Sequence, residues 1–326
     1  MILAGDIGGT KTVLALYRNV SGKPEPVREE IFKSREFPQF ERILIRFLAE
    51  KAPEPVTTLC LGVAGAVRDG QCRTTNLPWL LDERKLAKEF DVKTVRLLND
   101  LEAAAYGMLF LGREEMAVLH HGHGLPGRGN VAVIAAGTGL GEALLYWNGR
   151  EHLPVSSEGG HADFAPQSDR EIDLFKFLRA EFGHVSYERI LSGPGLFNVY
   201  RFLRAAGGAN EPPWLSEQLR QGDPSAIVAQ AGLANADPLC VEALELFSFL
   251  YGAEAGNLAL KTMATGGVYV GGGIAPKILA KLTDGAFMRG FTHKGRYTEL
   301  MKTIPVMVAL NSRAPLIGAA HYALRL

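Results

Sequence analysis

The chain has 326 residues, room for two domains of ordinary size, with 47% hydrophobic and 21% charged residues, the balance of a globular protein. Lys+Arg and Asp+Glu stand at 35 each, and the formal net charge of +0 excludes the basic footprint of a nucleic-acid or anionic-membrane partner. No apolar run reaches the roughly 20 residues of a membrane span, Met1–Asp6 lacks the basic start of a secretory signal, which points to the cytoplasm, and Cys60, Cys72 and Cys240 form no CxxC pair for zinc or a disulfide framework.

Strands alternate with helices through the first half, the pattern of an α/β fold. Ile2–Ile7 and Thr12–Tyr17 read as strands joined by a Gly8-Gly9 hairpin. Phe37–Lys51 carries Phe40, Ile43, Leu44, Phe47 and Leu48 at helical spacing. Thr57–Val63 reads as a strand, Leu81–Phe90 as a helix, Thr94–Leu98 as a strand, Leu101–Leu111 as a helix and Met116–His120 as a strand. His121–Gly129 is glycine-rich and lacks a period, so it reads as a loop near a domain boundary. The opening theme then returns: strand Asn130–Ala136, turn Gly137–Gly141, strand Ala143–Trp147. Two such hairpins suggest an internal duplication.

From Gln167 the chain turns helical. Ser168-x-x-Glu171 fits a capping box before a helix carrying Ile172, Phe175, Leu178 and Phe182. Leu196–Ala205 reads as a helix, Asn210–Ser225 with its three prolines as a loop, and Leu239–Met263 as a long helix. Thr265–Val270 is a strand ending in Gly271-Gly272-Gly273, Ile304–Leu310 a last strand, and Leu316–Leu324 a closing helix that returns to the first domain.

Glycine is the one excess, at 37 residues. Asp6-Ile7-Gly8-Gly9-Thr10 joins an acid to a glycine turn after a strand. It is either a plain hairpin or an anion cradle whose N–H groups point at one phosphate, with Asp6 holding Mg²⁺ through water. Gly137-Thr138-Gly139-Leu140-Gly141 repeats the device, and Gly271–Gly273 either lets a purine or ribose lie on bare backbone or is a tight strand-to-helix connection. The spacing is not that of a Walker A loop.

Acids gather around these turns. Asn99-Asp100 ends a strand and opens a helix, the position of an N-cap and equally of a carboxylate facing the ligand crevice of an α/β sheet. There an ionised Asp can take the proton of an attacking hydroxyl. Glu158-Gly159-Gly160-His161 has too few ligands for a metal and suits adjacent hydroxyls of a neutral polar ligand, or else it is an exposed loop. Glu188, read by itself, is a solvated helix acid.

Together these pieces resemble the bacterial glucokinases of the actin-like sugar-kinase group. The matching motifs are GDIGGTKT at Gly5–Thr12, TTNLPW at Thr74–Trp79, LLND at Leu97–Asp100 and GTGLG at Gly137–Gly141. EGGHADFAP at Glu158–Pro166, GHVSYERILSGPGL at Gly183–Leu196, GGGIAP at Gly271–Pro276 and KGRY…IPV between Lys294 and Val306 complete them, in order along nearly the whole chain. The resemblance implies a two-lobed, ribonuclease H-like ATPase fold with mixed sheets flanked by helices and a deep interdomain cleft. It implies a small domain at 1–112 plus 312–326 and a large one at 113–311.

The same resemblance implies ATP-dependent phosphorylation of glucose, with Mg²⁺, by a cytoplasmic homodimer, through direct transfer with Asp100 as general base. Asn76, Asn99, Gly139, Glu158, His161 and Glu188 then bind the hexose, which moves Glu188 from surface acid to ligand. Gly5, Asp6, Ile7, Gly8, Gly9 and Thr10, with Gly137 and Thr138, become the phosphate loops, and Gly271, Gly272 and Gly273 the adenosine side. Three departures stand out. Lys11 replaces the asparagine many members carry, the cysteine motif of the related zinc-bearing kinases and repressors is missing after His161, and Glu142 replaces a small apolar residue. A sugar-sensing repressor would need a DNA-binding domain ahead of Gly5, and a filament- or chaperone-type ATPase would need no hexose cluster. A kinase for mannose, fructose or an amino sugar remains the alternative within the reaction class.

Overall fold

Turn chemistry and apolar alternation set the element order. The computed structural model describes residues 1–50, 52, 54–123, 128–207 and 211–326. Lys51, Asn210 and residues 124–127 of the glycine-rich loop therefore lie outside the described residues. In chain order, β1 (Ile2–Ile7), β2 (Lys11–Val20) and β3 (Lys23–Lys33) precede α1 (Phe40–Ala49) and β4 (Thr58–Val63). Short strands β5 (Val67–Arg68), β6 (Gln71–Arg73) and β7 (Leu80–Asp82) lead to α2 (Glu83–Phe90), β8 (Thr94–Asn99) and α3 (Asp100–Met108). Then come β9 (Met116–His120), β10 (Val131–Ala136), β11 (Leu140–Trp147) and β12 (His152–Ser157). Helices α4 (Asp169–Phe182), α5 (Gly193–Gly207), α6 (Pro213–Gln221), α7 (Pro224–Leu233) and α8 (Pro238–Thr262) follow. The chain closes with β13 (Gly267–Gly271), α9 (Leu279–Leu282), α10 (Ala286–Thr292), α11 (Thr298–Met301), β14 (Val306–Ala309) and α12 (Ala314–Ala323). It divides into two compact units, one of Met1–Glu115, His152–Ser156 and Asn311–Leu326, the other of Met116–Glu151 and Ser157–Leu310.

The first unit holds a five-stranded sheet in the order β3-β2-β1-β4-β8. Strand alternation sends Leu3 and Ile7 to one face, against Phe40, Ile43 and Phe47 of α1 and Leu86 of α2. It sends Ile2 and Ala4 to the other, against Ala103 of α3 and Leu316 and Ala319 of α12. β1, β4 and β8 are parallel, and their registers bring Ile7, Val63 and Asn99 level. That row is the carboxyl edge, where open α/β sheets bind ligands. Strand β3 was not anticipated, because KPEPVREEIFK has no apolar alternation; it lies at the sheet edge, where charge and proline are tolerated. Nor does a helix start at Leu81. Asp82 Oδ1 accepts the N–H groups of Arg84 (2.8 Å) and Lys85 (3.0 Å), so Asp82 is the cap and α2 starts at Glu83.

In the second unit five strands run in the order β11-β10-β13-β14-β9. An antiparallel hairpin followed by two parallel strands occurs here as β11-β10-β13-β14 and in the first unit as β2-β1-β4-β8. The repeat suggested by the two glycine turns is thus a repeat of topology. Helix α8, 25 residues long, is buried around most of its surface and packs against β10. The stretch expected to be a loop through Ser225 is α6 and the start of α7. Pro213 and Pro224 sit in first turns, where no backbone N–H is required, and Asp223 Oδ1 caps Ser225 N–H at 2.9 Å. The box before α4 is a variant: Ser168 Oγ accepts Glu171 N–H (3.3 Å), while Glu171 Oε2 accepts the N–H of Gln167 (2.8 Å). Among the described residues no helix is long and apolar enough to cross a membrane.

Candidate active site

The first group of side chains stands on the carboxyl edge of β1, β4 and β8. β1 leads into a tight turn closed by Gly8 N–H to Lys11 O at 3.0 Å, with Ser34 Oγ donating to Gly8 O at 2.8 Å. Gly5, Asp6 and Ile7 belong to the strand, and only Gly8–Thr10 form the turn. Gly5 has a packing reason to be glycine, since a Cβ there would lie 2.6 Å from the Leu61 side chain. A Cβ on Gly9 would lie 2.7 Å from Cβ of Asn76, so the turn and the TTNLPW segment meet directly.

Asn99 and Asp100 are placed by a full capping box. Asn99 Oδ1 accepts Leu101 N–H (2.9 Å), and Glu102 Oε2 accepts Asn99 N–H (2.8 Å). Asn99 Nδ2 donates to Gly65 O at 3.1 Å, leaving its amide one N–H and one lone pair for a hydroxyl. Asp100 is the first helical residue, half-buried, with Oδ1 accepting Leu101 N–H at 2.9 Å. Its carboxyl stands at the positive end of α3. Burial and the neighbouring Asp100 carboxylate push Asp6 up to about 6, against the opposing pull of Lys11. Two acids share this edge, a surplus of negative charge that a cation would offset. Among the described residues no cluster of three or more His, Cys, Asp and Glu could hold a metal by protein ligands alone. Such a cation would therefore need the phosphates and water to complete its shell.

The second group lies in the other unit. The turn after β10 closes with Gly137 N–H to Gly139 O at 2.8 Å, and Leu140 and Gly141 already belong to β11. Gly193, the first residue of α5, donates its N–H to Gly137 O at 2.8 Å, and Ile274 N–H reaches Ala136 O at 3.2 Å. The second glycine turn, the start of α5 and the GGGIAP segment are therefore one cluster. A Cβ on Gly137 or Gly273 would meet nothing within 4 Å, whereas one on Gly272, at φ +82°, would lie 2.3 Å from Ala136 O. Open backbone at the first two suits a phosphate or ribose. Gly272 is required by the turn, and Gly271 is the last residue of β13.

Glu188 sits in a short turn, Tyr187–Arg189, not on a solvated helix face. Its Oε2 accepts Leu140 N–H at 3.0 Å, and its Oε1 lies 3.9 Å from His161 Nδ1. A Cβ on Gly139 would stand 2.4 Å from Oε2, so Gly139 is bare because the carboxylate occupies that space. The residue-only reading of Glu188 as a surface acid is therefore corrected. Glu158 is exposed and precedes the turn Gly159–His161, its carbonyl accepting His161 N–H at 3.0 Å. The structure thus joins Gly139, His161 and Glu188. Ser192, which no motif argument singled out, donates to Glu188 O (2.7 Å) and accepts Gly195 N–H (3.0 Å), fixing the turn to α5.

The glucokinase family profile matches residues 3–326. The chain belongs to the glucokinase family. A glucokinase from Synechocystis sp. is 43% identical over 342 aligned positions, which cover 98% of this chain and 96% of that protein. The crystal structure of a glucokinase from an Antarctic psychrotroph superposes with a TM-score of 0.89 at 30% identity, covering 100% of this chain and 99% of that one. A ROK family glucokinase from Streptomyces griseus, solved with glucose and AMPPNP, shares the fold at a TM-score of 0.62 and 22% identity, covering 100% and 99%. The fold is that of the actin-like sugar kinases, as the family resemblance implied, and the chain is an enzyme of the glucokinase family.

Proposed function

We propose that this enzyme transfers the γ-phosphoryl group of ATP to the 6-hydroxyl of D-glucose, giving glucose 6-phosphate and ADP. The observation that carries this reading is Asp100, an acid in the first turn of α3 at the carboxyl edge of a parallel sheet, its orientation fixed by the Asn99–Glu102 box. Phosphoryl transfer asks the protein for position and charge stabilisation, not for a nucleophile. Asp100 accepts the proton of the 6-hydroxyl as that oxygen attacks the γ-phosphorus in line. Asn76, Asn99, Glu158, His161 and Glu188 hold the other hydroxyls, with Gly139 leaving room for Glu188. Carboxylates suit a polyol because each oxygen accepts from a separate hydroxyl.

The turns at Gly8–Thr10 and Gly137–Thr138 hold the phosphates through backbone N–H groups, and Gly271–Gly273 lie against the adenosine. Mg²⁺, when bound with ATP, neutralises the charge developing on the β- and γ-phosphates, and Asp6 would hold it through water. The two compact units support an assignment of residues 1–112 plus 312–326 to a small domain and 113–311 to a large one. A cytoplasmic homodimer completes the reading, on the family resemblance.

The test is ADP release over a panel of hexoses with ATP and Mg²⁺. Glucose-dependent release with glucose 6-phosphate as product is expected. Release that depends on mannose, fructose or an amino sugar instead would reassign the substrate, and release without any sugar would sink the reading.

A further inference from the structure

Glu142, the residue that departs from the family pattern beside GTGLG, is not on the surface. It is 2% exposed on β11, and Glu254 on α8 is 0% exposed. Glu254 lies close enough to Glu142 for its carboxyl to raise the cost of ionising Glu142. Oε1 of each is buried with no hydrogen-bond partner among the described residues, a pair of orphaned acceptors that one proton between the carboxyls would satisfy.

Charged and titratable groups surround the pair from several elements. From α8, Tyr251 lies near Glu142, Lys261 Nζ stands 3.6 Å from Glu254 Oε1, and Asn257 Nδ2 donates to Glu254 Oε2 at 2.8 Å. Tyr187, on the turn that carries Glu188, lies near Glu254 and accepts from Asn257 Nδ2 at 2.9 Å. Lys294, with Glu171 near it, donates to Asn257 Oδ1 at 2.6 Å and to Ala253 O at 2.8 Å. Glu142 also touches the sugar-binding segment: a Cβ on Gly159 would lie 2.1 Å from its Oε2.

We propose that Glu142 and Glu254 share one proton, and that the pair makes Glu142 a positioning residue, seating the Gly159-Gly160 turn and Tyr187 so that Glu158, His161 and Glu188 are held for the sugar. The positioning half rests on the glucose reading above; the proton sharing does not. Burial first, and Glu254 second, push the Glu142 carboxyl up to about 8, so the shared proton is kept at neutral pH and lost as pH rises beyond that value. Two buried carboxylates would then repel beneath the turn.

Infrared difference spectroscopy at pH 7 tests the sharing without any substrate. A carboxylic-acid carbonyl band is expected in the wild type, lost in Glu142→Gln, shifted in frequency in Glu254→Gln, where Glu142 stays buried, and titrating away near pH 8 in the wild type. Identical spectra for the wild type and both variants would overturn it. Glucose KM against pH tests the positioning. In the wild type it should rise about tenfold above pH 8, the scale of one lost hydrogen bond to the sugar. In Glu142→Gln, whose neutral amide still donates to Glu254, it should stay flat. An unchanged alkaline rise in that variant refutes the positioning role. If glucose proves not to be the substrate, the infrared result stands or falls by itself.

Discussion

Asp6 and Asp100 set the cost of a phosphoryl-transfer edge in a folded chain. Asp6 keeps its proton to about pH 6 when folded, against 3.8 unfolded, so its contribution to stability is fully present below 3.8 and is lost as pH rises through 6. Asp6→Asn removes that penalty. In ligand-free chain at pH 8, urea melts should show it more stable by up to roughly 3 kcal/mol, a gain that vanishes near pH 4. Activity should fall at the same time, the usual exchange between stability and an active site. Asp100→Asn should lower kcat ~10²–10⁴-fold while glucose KM moves only a few-fold, and comparable losses in both would point to binding instead. The placement of Asp100 was legible because its signal is local: a strand end, a cap and an acid within four residues. Glu188 was not, since its role depends on the N–H of Leu140, and the partnership of Glu142 with Glu254 links residues that only the packing of α8 brings together.

At the scale of elements, glycine does more than form turns. α3 and α12 cross so closely that a Cβ on Gly107 would lie 1.9 Å from Ala314 O, and one on Gly318 1.8 Å from Ala103 O. In the other unit α8 and α10 cross the same way, with Gly252 facing Phe287 O at 1.8 Å and Gly290 facing Phe249 O at 2.0 Å. Backbone against backbone cannot yield as a flexible side chain can, so one added methyl must push the helices apart. Gly318→Ala and Gly252→Ala should each cost about 1–3 kcal/mol in denaturant melts. Gly207→Ala, at the end of α5 where a Cβ meets nothing within 4 Å, should be neutral or stabilising by up to about 1 kcal/mol. Equal effects at all three would refute the crossing argument. The sequence showed the excess of glycine but not this use of it, because a glycine inside a helical stretch looks the same whether it faces solvent or another backbone. The prolines that open α6 and α7 misled for a related reason: they mark a break and, equally, a helix start.

For the whole molecule, the repeated topology explains why the fold was easier to read than the site. Each unit carries a hairpin and two parallel strands, and in such sheets the strand cores are apolar runs that the sequence displays openly. Edge strand β3 and the ribbon β5–β7 carry no such run and stayed hidden. The balanced charge has a consequence at this scale as well. With 35 basic and 35 acidic residues the chain has no net field to steer a substrate, and glucose has no charge to be steered. Glucose KM should therefore be unchanged between low salt and 0.5 M KCl. ATP, an anion that the proposed function brings to the first glycine turn, would meet local charges there such as Lys11 and Asp6, which salt screens over a Debye length of about 10 Å at 0.1 M. Its KM should shift with salt over the same range at saturating glucose. A glucose KM that moved in parallel would mean that salt perturbs the protein itself, and the division between a neutral sugar site and a charged nucleotide site would have to be abandoned.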